Sequence, residues 1–165
     1  MTLTLTAEGK TMLERPFALV AGGYFLSDAE WISATNGWGP VERDTSNGEN
    51  AAGDGGVITL NGRSYSKGIG AHALSTIVIG VGGSCDRVSF DYGIDDEIAS
   101  GGSVAFEVRA DGVRQWHSGT MTATTATGHA DVDITGAGRI ELVQDPLGHN
   151  GQDHGDWANA WVRCS

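Results

Sequence analysis

The sequence predicts an all-β protein, an antiparallel β-sandwich, and three observations carry the prediction. Short segments that alternate apolar and polar residues recur at roughly ten-residue spacing. Glycine makes up 26 of 165 residues without a Gly-x-y period, which excludes collagen and argues against long helices, because each interior Gly costs a helix about 1 kcal/mol relative to Ala. Asn61-Gly62 and Asp111-Gly112 each stand between two such segments, and Asn-Gly or Asp-Gly supplies the two positive φ values of a hairpin turn.

Taken in order, residues 1–9 alternate like a short strand, and the strand rhythm proper starts at Tyr24. Residues 57–60 and 63–67 form a hairpin about Asn61-Gly62, and 77–81 is a further strand. Val88, Phe90, Tyr92 and Ile94 alternate with Arg87, Ser89, Asp91 and Gly93, giving one buried face and one wetter face. Val104, Phe106 and Val108 repeat the pattern before the Asp111-Gly112 turn into 113–117. Segments 130–134, 139–143 and 157–164 complete the set. Residues 34–56 break the rhythm as a long Gly-rich loop, and Trp38 within it argues that the loop is ordered. Residues 67–73, with Lys67 and His72, are expected as another site loop.

One domain of ordinary size accommodates this length. Residues 1–22 are expected to be a linker or leader and 23–165 the folded module, cut from a longer secreted chain. Asp and Glu total 21 against 10 Lys and Arg, for a formal charge of −11, and the only lysines are Lys10 and Lys67. That balance excludes a phosphate-backbone binder, which needs clustered cations, so no nucleic-acid partner is expected. No apolar run reaches the roughly 18 residues of a membrane span, and no membrane partner is expected. Cys85 and Cys164 lack zinc-ligand spacing and are expected to form a disulfide, closing a loop of about 79 residues and favouring an extracellular compartment.

Polar and aromatic residues concentrate in four places: 35–49, 93–97, 153–159 and 67–73. If these meet, they form a cleft of carboxylates, imidazoles and indoles. Carbohydrates suit such a surface, since vicinal hydroxyls take paired hydrogen bonds and the apolar C–H face packs on an aromatic ring. Trp38 and Trp157 are the candidates for that ring; Trp31, Trp116 and Trp161 are expected in packing, and His117 and His129 as surface histidines. Glu42, Asp95, Asp96, Asp153 and Asp156 offer an alternative, a carboxylate pair for glycoside hydrolysis. A sandwich that binds protein and has lost sugar affinity is a third reading. No nucleophile elbow for a serine hydrolase is present. Asp44, Asn47 and Glu49, with Asn50 and Asp54, share one Gly-rich loop whose oxygens suit a structural calcium.

Several stretches, in order, resemble the NPCBM family of carbohydrate-binding modules, also classed as carbohydrate-binding module family 51. They are Tyr24-Phe25-Leu26-Ser27-Asp28 with Trp31, then Asn36-Gly37-Trp38-Gly39-Pro40-Val41-Glu42-Arg43-Asp44, then Asn61-Gly62 through Lys67-Gly68-Ile69-Gly70-Ala71-His72-Ala73. Gly93-Ile94-Asp95-Asp96-Glu97, Gly102 to Val108, Val132-Asp133 and Asp153-His154-Gly155-Asp156-Trp157 follow. The resemblance implies a jelly-roll, galactose-binding-domain-like sandwich without catalytic activity, attached to a secreted glycoside hydrolase and recognising terminal galactose. It also implies a structural calcium. Carried over by position, sugar contact falls to Trp38, Glu42, His72, Asp95, Asp96, Asp153 and His154. An acid–imidazole pair, Asp95 or Asp96 with His72 or His154, is expected to read the axial O4, with Trp38 over the sugar face. The chain departs from the family pattern at Gly155 and Asn159, where Ala and Asp are common.

Overall fold

The computed structural model describes residues 2–7, 10–16, 22–149 and 151–165. Its strands are β1 (Thr2–Ala7), β2 (Lys10–Pro16), β3 (Gly22–Phe25), β4 (Trp31–Thr35), β5 (Glu42–Arg43), β6 (Ile58–Leu60), β7 (Arg63–Tyr65), β8 (Gly68–His72), β9 (Ser75–Gly80), β10 (Cys85–Ile94), β11 (Ser103–Ala110), β12 (Val113–Thr122), β13 (Gly128–Asp133), β14 (Arg139–Asp145) and β15 (His154–Cys164). All pairings are antiparallel. One sheet runs β13-β10-β15-β8-β5, with β3 also on β15, and the second runs β12-β11-β14-β9-β4. Among the described residues no helix is long and apolar enough to cross a membrane.

The two sheets bury the alternating apolar residues between them. Phe90, Phe106 and Trp157 form the aromatic centre, with Trp157 edge-on to Phe90 at 4.9 Å and to Phe106 at 5.0 Å. Trp157 is fully buried, so it packs the core and takes no part in a surface site. Hairpin turns fall where the sequence places them, at Asn61-Gly62 (φ 47° and 80°) and Asp111-Gly112 (φ 48° and 83°). Cys85 and Cys164 are register partners at the ends of β10 and β15 and form the expected disulfide.

Residues 68–72 are a strand, not the loop expected from their glycines. Gly68 and Gly70 are there because neighbouring backbone lies against them: a Cβ on Gly70 would come within 2.4 Å of the Thr45 carbonyl oxygen. Lys67 bridges Asp28 and Asp44, at 2.5 and 2.7 Å. Asn159 occupies a β-bulge with φ 48°, which Asn tolerates, and its side chain is exposed. Residues 1–22 enter the description only as the β1–β2 hairpin and the start of β3.

Candidate functional site

Because Trp157 faces the core, its neighbours on β15, Asp156 and His154, are oriented by strand alternation differently from it, and His154 meets β8 through its register partner His72. The loop that carries Trp38 is fastened to the end of β8 by Asn36. Its Oδ1 accepts the His72 amide at 2.7 Å, and its Nδ2 donates to the carbonyls of Trp38 and Pro40 at 2.6 and 2.9 Å. Gly37 donates its amide to the His72 carbonyl, and a Cβ there would lie 2.2 Å from the Ala73 oxygen. Asn36 and Gly37 thus hold Trp38 beside His72, with the indole 55% exposed.

A cavity of about 510 Å³ opens at this point, lined by Trp38, Glu49, His72, Glu97, Ile98, Gly151, Gln152 and His154. A smaller polar cavity of about 260 Å³ shares Glu49, Glu97 and His154 with it and adds Asn47 and Asp54. The His72 and His154 rings meet edge to face at 5.0 Å. His72 Nδ1 is 2.8 Å from the Ala73 carbonyl and His154 Nδ1 is 2.7 Å from Glu97 Oε1. A carbonyl and a carboxylate only accept, so both Nδ1 atoms carry the hydrogen, and in the neutral rings both Nε2 atoms are the acceptors. Burial holds the His72 pKa below the ordinary histidine value, and the adjacent His154 adds to the depression.

Three of the seven expected sugar contacts, Trp38, His72 and His154, are therefore brought together. The other four do not line the cavity, because backbone amides claim their carboxylates. Asp95 accepts the amides of Thr59 and Glu97, forming an Asx turn that aims Glu97 at the pocket. Asp96 clamps the hairpin turn through the amides of Asn61 and Gly62. Asp153, fully buried, accepts the Ser103 amide at 2.7 Å, and burial raises its pKa. Glu42 accepts the Gly53 amide. The acids that reach the cavity are Glu97 and Glu49. Sequence reasoning missed Glu97, although an Asp two residues before it is an Asx-turn signal that could have pointed to it; Gly151 and Gln152 carry no signal of that kind.

The calcium trio separates. Asn47 and Glu49 line the smaller cavity, but Asp44 is taken by Lys67 and the Gly68 amide. Among the described residues no three acidic, histidine or cysteine side chains form a metal-holding group. Oxygens without partners lie elsewhere: both carboxylate atoms of fully buried Asp156, Oε1 of Glu42 and Oγ1 of Thr45. Glu42, Gly70 and Asp156 are register partners across β5, β8 and β15, and the Thr45 carbonyl lies over Gly70 between them. Burial, then the neighbouring Asp95 carboxylate, pushes the Asp156 pKa well above the carboxylate range. A hard cation fits such a set, with the missing ligands drawn from backbone carbonyls.

The family model for the NPCBM/NEW2 domain matches residues 22–163. This chain belongs to the NPCBM family. Over 143 residues the NPCBM chain is 41% identical to a Renibacterium salmoninarum protein named as an endo-alpha-N-acetylgalactosaminidase, covering 86% of this chain and 10% of that protein. It is 32% identical over 109 residues to alpha-1,3-galactosidase B of Akkermansia muciniphila, covering 63% of this chain and 14% of the relative. The chain thus spans about a tenth of the curated relatives it matches. Among solved structures, the CBM51 of a Clostridium perfringens GH95 enzyme, in complex with methyl-galactose, is 37% identical with a TM-score of 0.75; the match covers 85% of this chain and 99% of that one. CBM51-2 of Clostridium perfringens ZmpB, in complex with GlcNAc, is 33% identical with a TM-score of 0.78, over 86% of this chain and 31% of that one. This chain is thus a β-sandwich of a carbohydrate-binding module family, whose similar solved members include one with methyl-galactose and one with GlcNAc.

Proposed function

We propose that this module is non-catalytic, binds the terminal galactose-type residue of a glycan in the Trp38–His72–His154 cavity, and holds an attached glycoside hydrolase on its substrate outside the cell. One observation carries the reading: an exposed indole beside two imidazole Nε2 acceptors and two carboxylates in a cavity of sugar size. Trp38 offers its face to the C–H surface of the ring. The Nε2 atoms and the Glu49 and Glu97 carboxylates accept hydroxyl hydrogens, including that of the axial O4. The buried Ala73 carbonyl and Glu97 hold the imidazoles in the accepting tautomer without moving when the sugar arrives. The relatives named for galactose-type substrates, and the one solved with methyl-galactose, support the same sugar class. The disulfide supports an oxidising compartment.

A calcium ion forms part of the proposal. Asp156, Glu42 and Thr45 would hold it, and its chemistry there is charge compensation for buried carboxylate, which stiffens the loop beneath the sugar cavity.

Calorimetric titration with galactose, glucose, N-acetylglucosamine and methyl galactosides tests the function. The expected result is micromolar-to-millimolar binding of the galactosides, as suits one shallow monosaccharide site, with glucose at least tenfold weaker. Equal affinity for galactose and glucose would overturn the O4 reading. Turnover of nitrophenyl galactosides, lost in Glu97→Gln, would replace binding with hydrolysis.

A further inference from the structure

A second cavity, also about 510 Å³, lies on the same outward face of the β10 sheet, and the family resemblance assigns it nothing. It is built around Asp91. Asp91 Oδ2 accepts the Tyr65 hydroxyl at 3.0 Å, and Oδ1 lies 2.7 Å from His129 Nδ1, so that nitrogen carries the hydrogen. Arg63 stands over the Tyr65 ring at 4.8 Å, with its guanidinium 3.7 Å from Asp91. At the rim, Asn61 Oδ1 accepts both the amide and the hydroxyl of Thr127.

Counting donors and acceptors shows what this cavity lacks. The carboxylate is turned inward and occupied, and the Asn61 carbonyl oxygen is taken by Thr127. Among the described residues the Arg63 guanidinium makes no hydrogen bond, although it is 68% exposed, and the Asn61 amide nitrogen likewise has no partner there. The groups left for a ligand are therefore the N–H bonds of an arginine, the NH₂ of an amide and, as an acceptor, Nε2 of the neutral His129 ring. Donors outnumber the free acceptors, and the one cation among the lining residues is Arg63, whereas the Trp38 cavity is lined by two carboxylates. No aromatic face is open either, since Tyr65 is buried beneath Arg63. A neutral sugar gains little here, while a planar carboxylate or a sulfate can take two guanidinium hydrogens at once.

We infer that the cavity edged by Arg63 and Asn61 is a second site, which takes the oxyanion of an acidic sugar. Asp91 holds both His129 and Arg63 from behind, so the cationic edge is positioned before the ligand arrives. The β6–β7 hairpin that lines this cavity is pinned by Tyr65 on Asp91 of β10 and by the Thr59 amide on Asp95 just beyond that strand. That the ligand is a sugar rests on the function proposed above; that it carries an oxyanion rests on Arg63 and Asn61 alone.

The test is amide-detected NMR titration of the folded module with methyl α-N-acetylneuraminate for the carboxylate source, galactose 6-sulfate for the sulfate source, and galactose as the neutral control. The expected result is that at least one acidic sugar shifts Asn61, Arg63 and His129, with binding weakened at least tenfold in Arg63→Gln and also by added salt. Galactose should shift Trp38 and His72 in wild type and Arg63→Gln alike. An acidic sugar that shifts only the Trp38 cavity, binds Arg63→Gln as well as wild type, or fails to bind overturns the second site. Failure of galactose with retention of the Arg63-dependent anion overturns the first reading and leaves this one standing. Arg63→Lys, which keeps charge without the fork, separates a bidentate contact from simple attraction: it should recover less than half of the lost affinity, and full recovery would overturn the bidentate mode. A phosphopeptide that competes at Arg63 more tightly than either sugar would make the partner a protein and overturn the sugar assignment.

Discussion

His72 and His154 are direct register partners on β8 and β15, and their rings meet edge to face at 5.0 Å with planes 70° apart. Each gives its Nδ1 hydrogen to a fixed acceptor, the Ala73 carbonyl or Glu97, and keeps Nε2 as an acceptor. Two residues separated by 82 positions therefore act as one preset pair of acceptors, and strand pairing is what joins them.

Trp38 is more than half exposed, so its removal should leave the fold intact. Trp38→Ala is expected to weaken galactoside binding about tenfold or more, close to 1.4 kcal/mol, with little change in melting temperature. Calorimetry alongside a thermal melt checks both.

Glu97 faces the cavity and Asp96 does not. Glu97→Gln should lower affinity about tenfold, since the carboxylate also sets the His154 tautomer. Asp96→Ala should lower stability by about 1–3 kcal/mol by releasing the Asn61 and Gly62 amides, with affinity within about twofold of wild type. A loss of binding in Asp96→Ala without loss of stability would return Asp96 to the site.

The depressed His72 pKa gives a signed pH dependence. Above the ordinary value of 6.5, folded and unfolded chains both carry a neutral ring, and His72 contributes no slope. As pH falls below 6.5, the unfolded chain takes up the proton first, so stability declines until the depressed folded value is passed. Galactoside binding, which needs the Nε2 lone pair, should survive the first part of that decline and fail only in the second. Melts and titrations of wild type and His72→Gln between about pH 7.5 and 4.5 isolate the contribution.

Calcium is checked through stability. Chelator should lower the melting temperature and added calcium restore it, with neither effect in Asp156→Asn. An unchanged melt in chelator removes the cation from the proposal.

The disulfide closes a 79-residue separation. Chain entropy puts its contribution at about 4–5 kcal/mol, so Cys85→Ser with Cys164→Ser should show that loss in denaturant titration while sugar affinity of the folded fraction is retained. The cystine lies at the far end of β10 and β15 from His154 and Asp95, which is why binding should be spared.

Much of this protein was legible in one dimension because the relevant physics is local. Alternation in 88–94 and 104–108 placed β10 and β11, and the Asn-Gly and Asp-Gly pairs placed two turns, since period-two patterning and positive φ are properties of neighbouring residues. The ordered motifs also pointed to Trp38, His72 and His154. What the chain alone did not separate is carboxylates that line the cavity from carboxylates that hold backbone. Asp95, Asp96, Asp153 and Glu42 have the same chemistry as Glu97 and Glu49 and sit in the same motifs, but amides from Thr59, Asn61, Gly62, Ser103, Gly53 and Glu97 itself consume them. Those amides come largely from distant segments, so only the folded packing decides which acids remain free. Strand identity at 68–72 failed for a related reason: its glycines answer to the backbone of residues 45–47 lying against them, a close approach that local propensity does not encode. The sequence determined the sandwich, its turns and its aromatic and imidazole site candidates; the tertiary structure decided which acids face the cavity, because turn and loop amides left outside the strand ladders take the carboxylates that folding brings next to them.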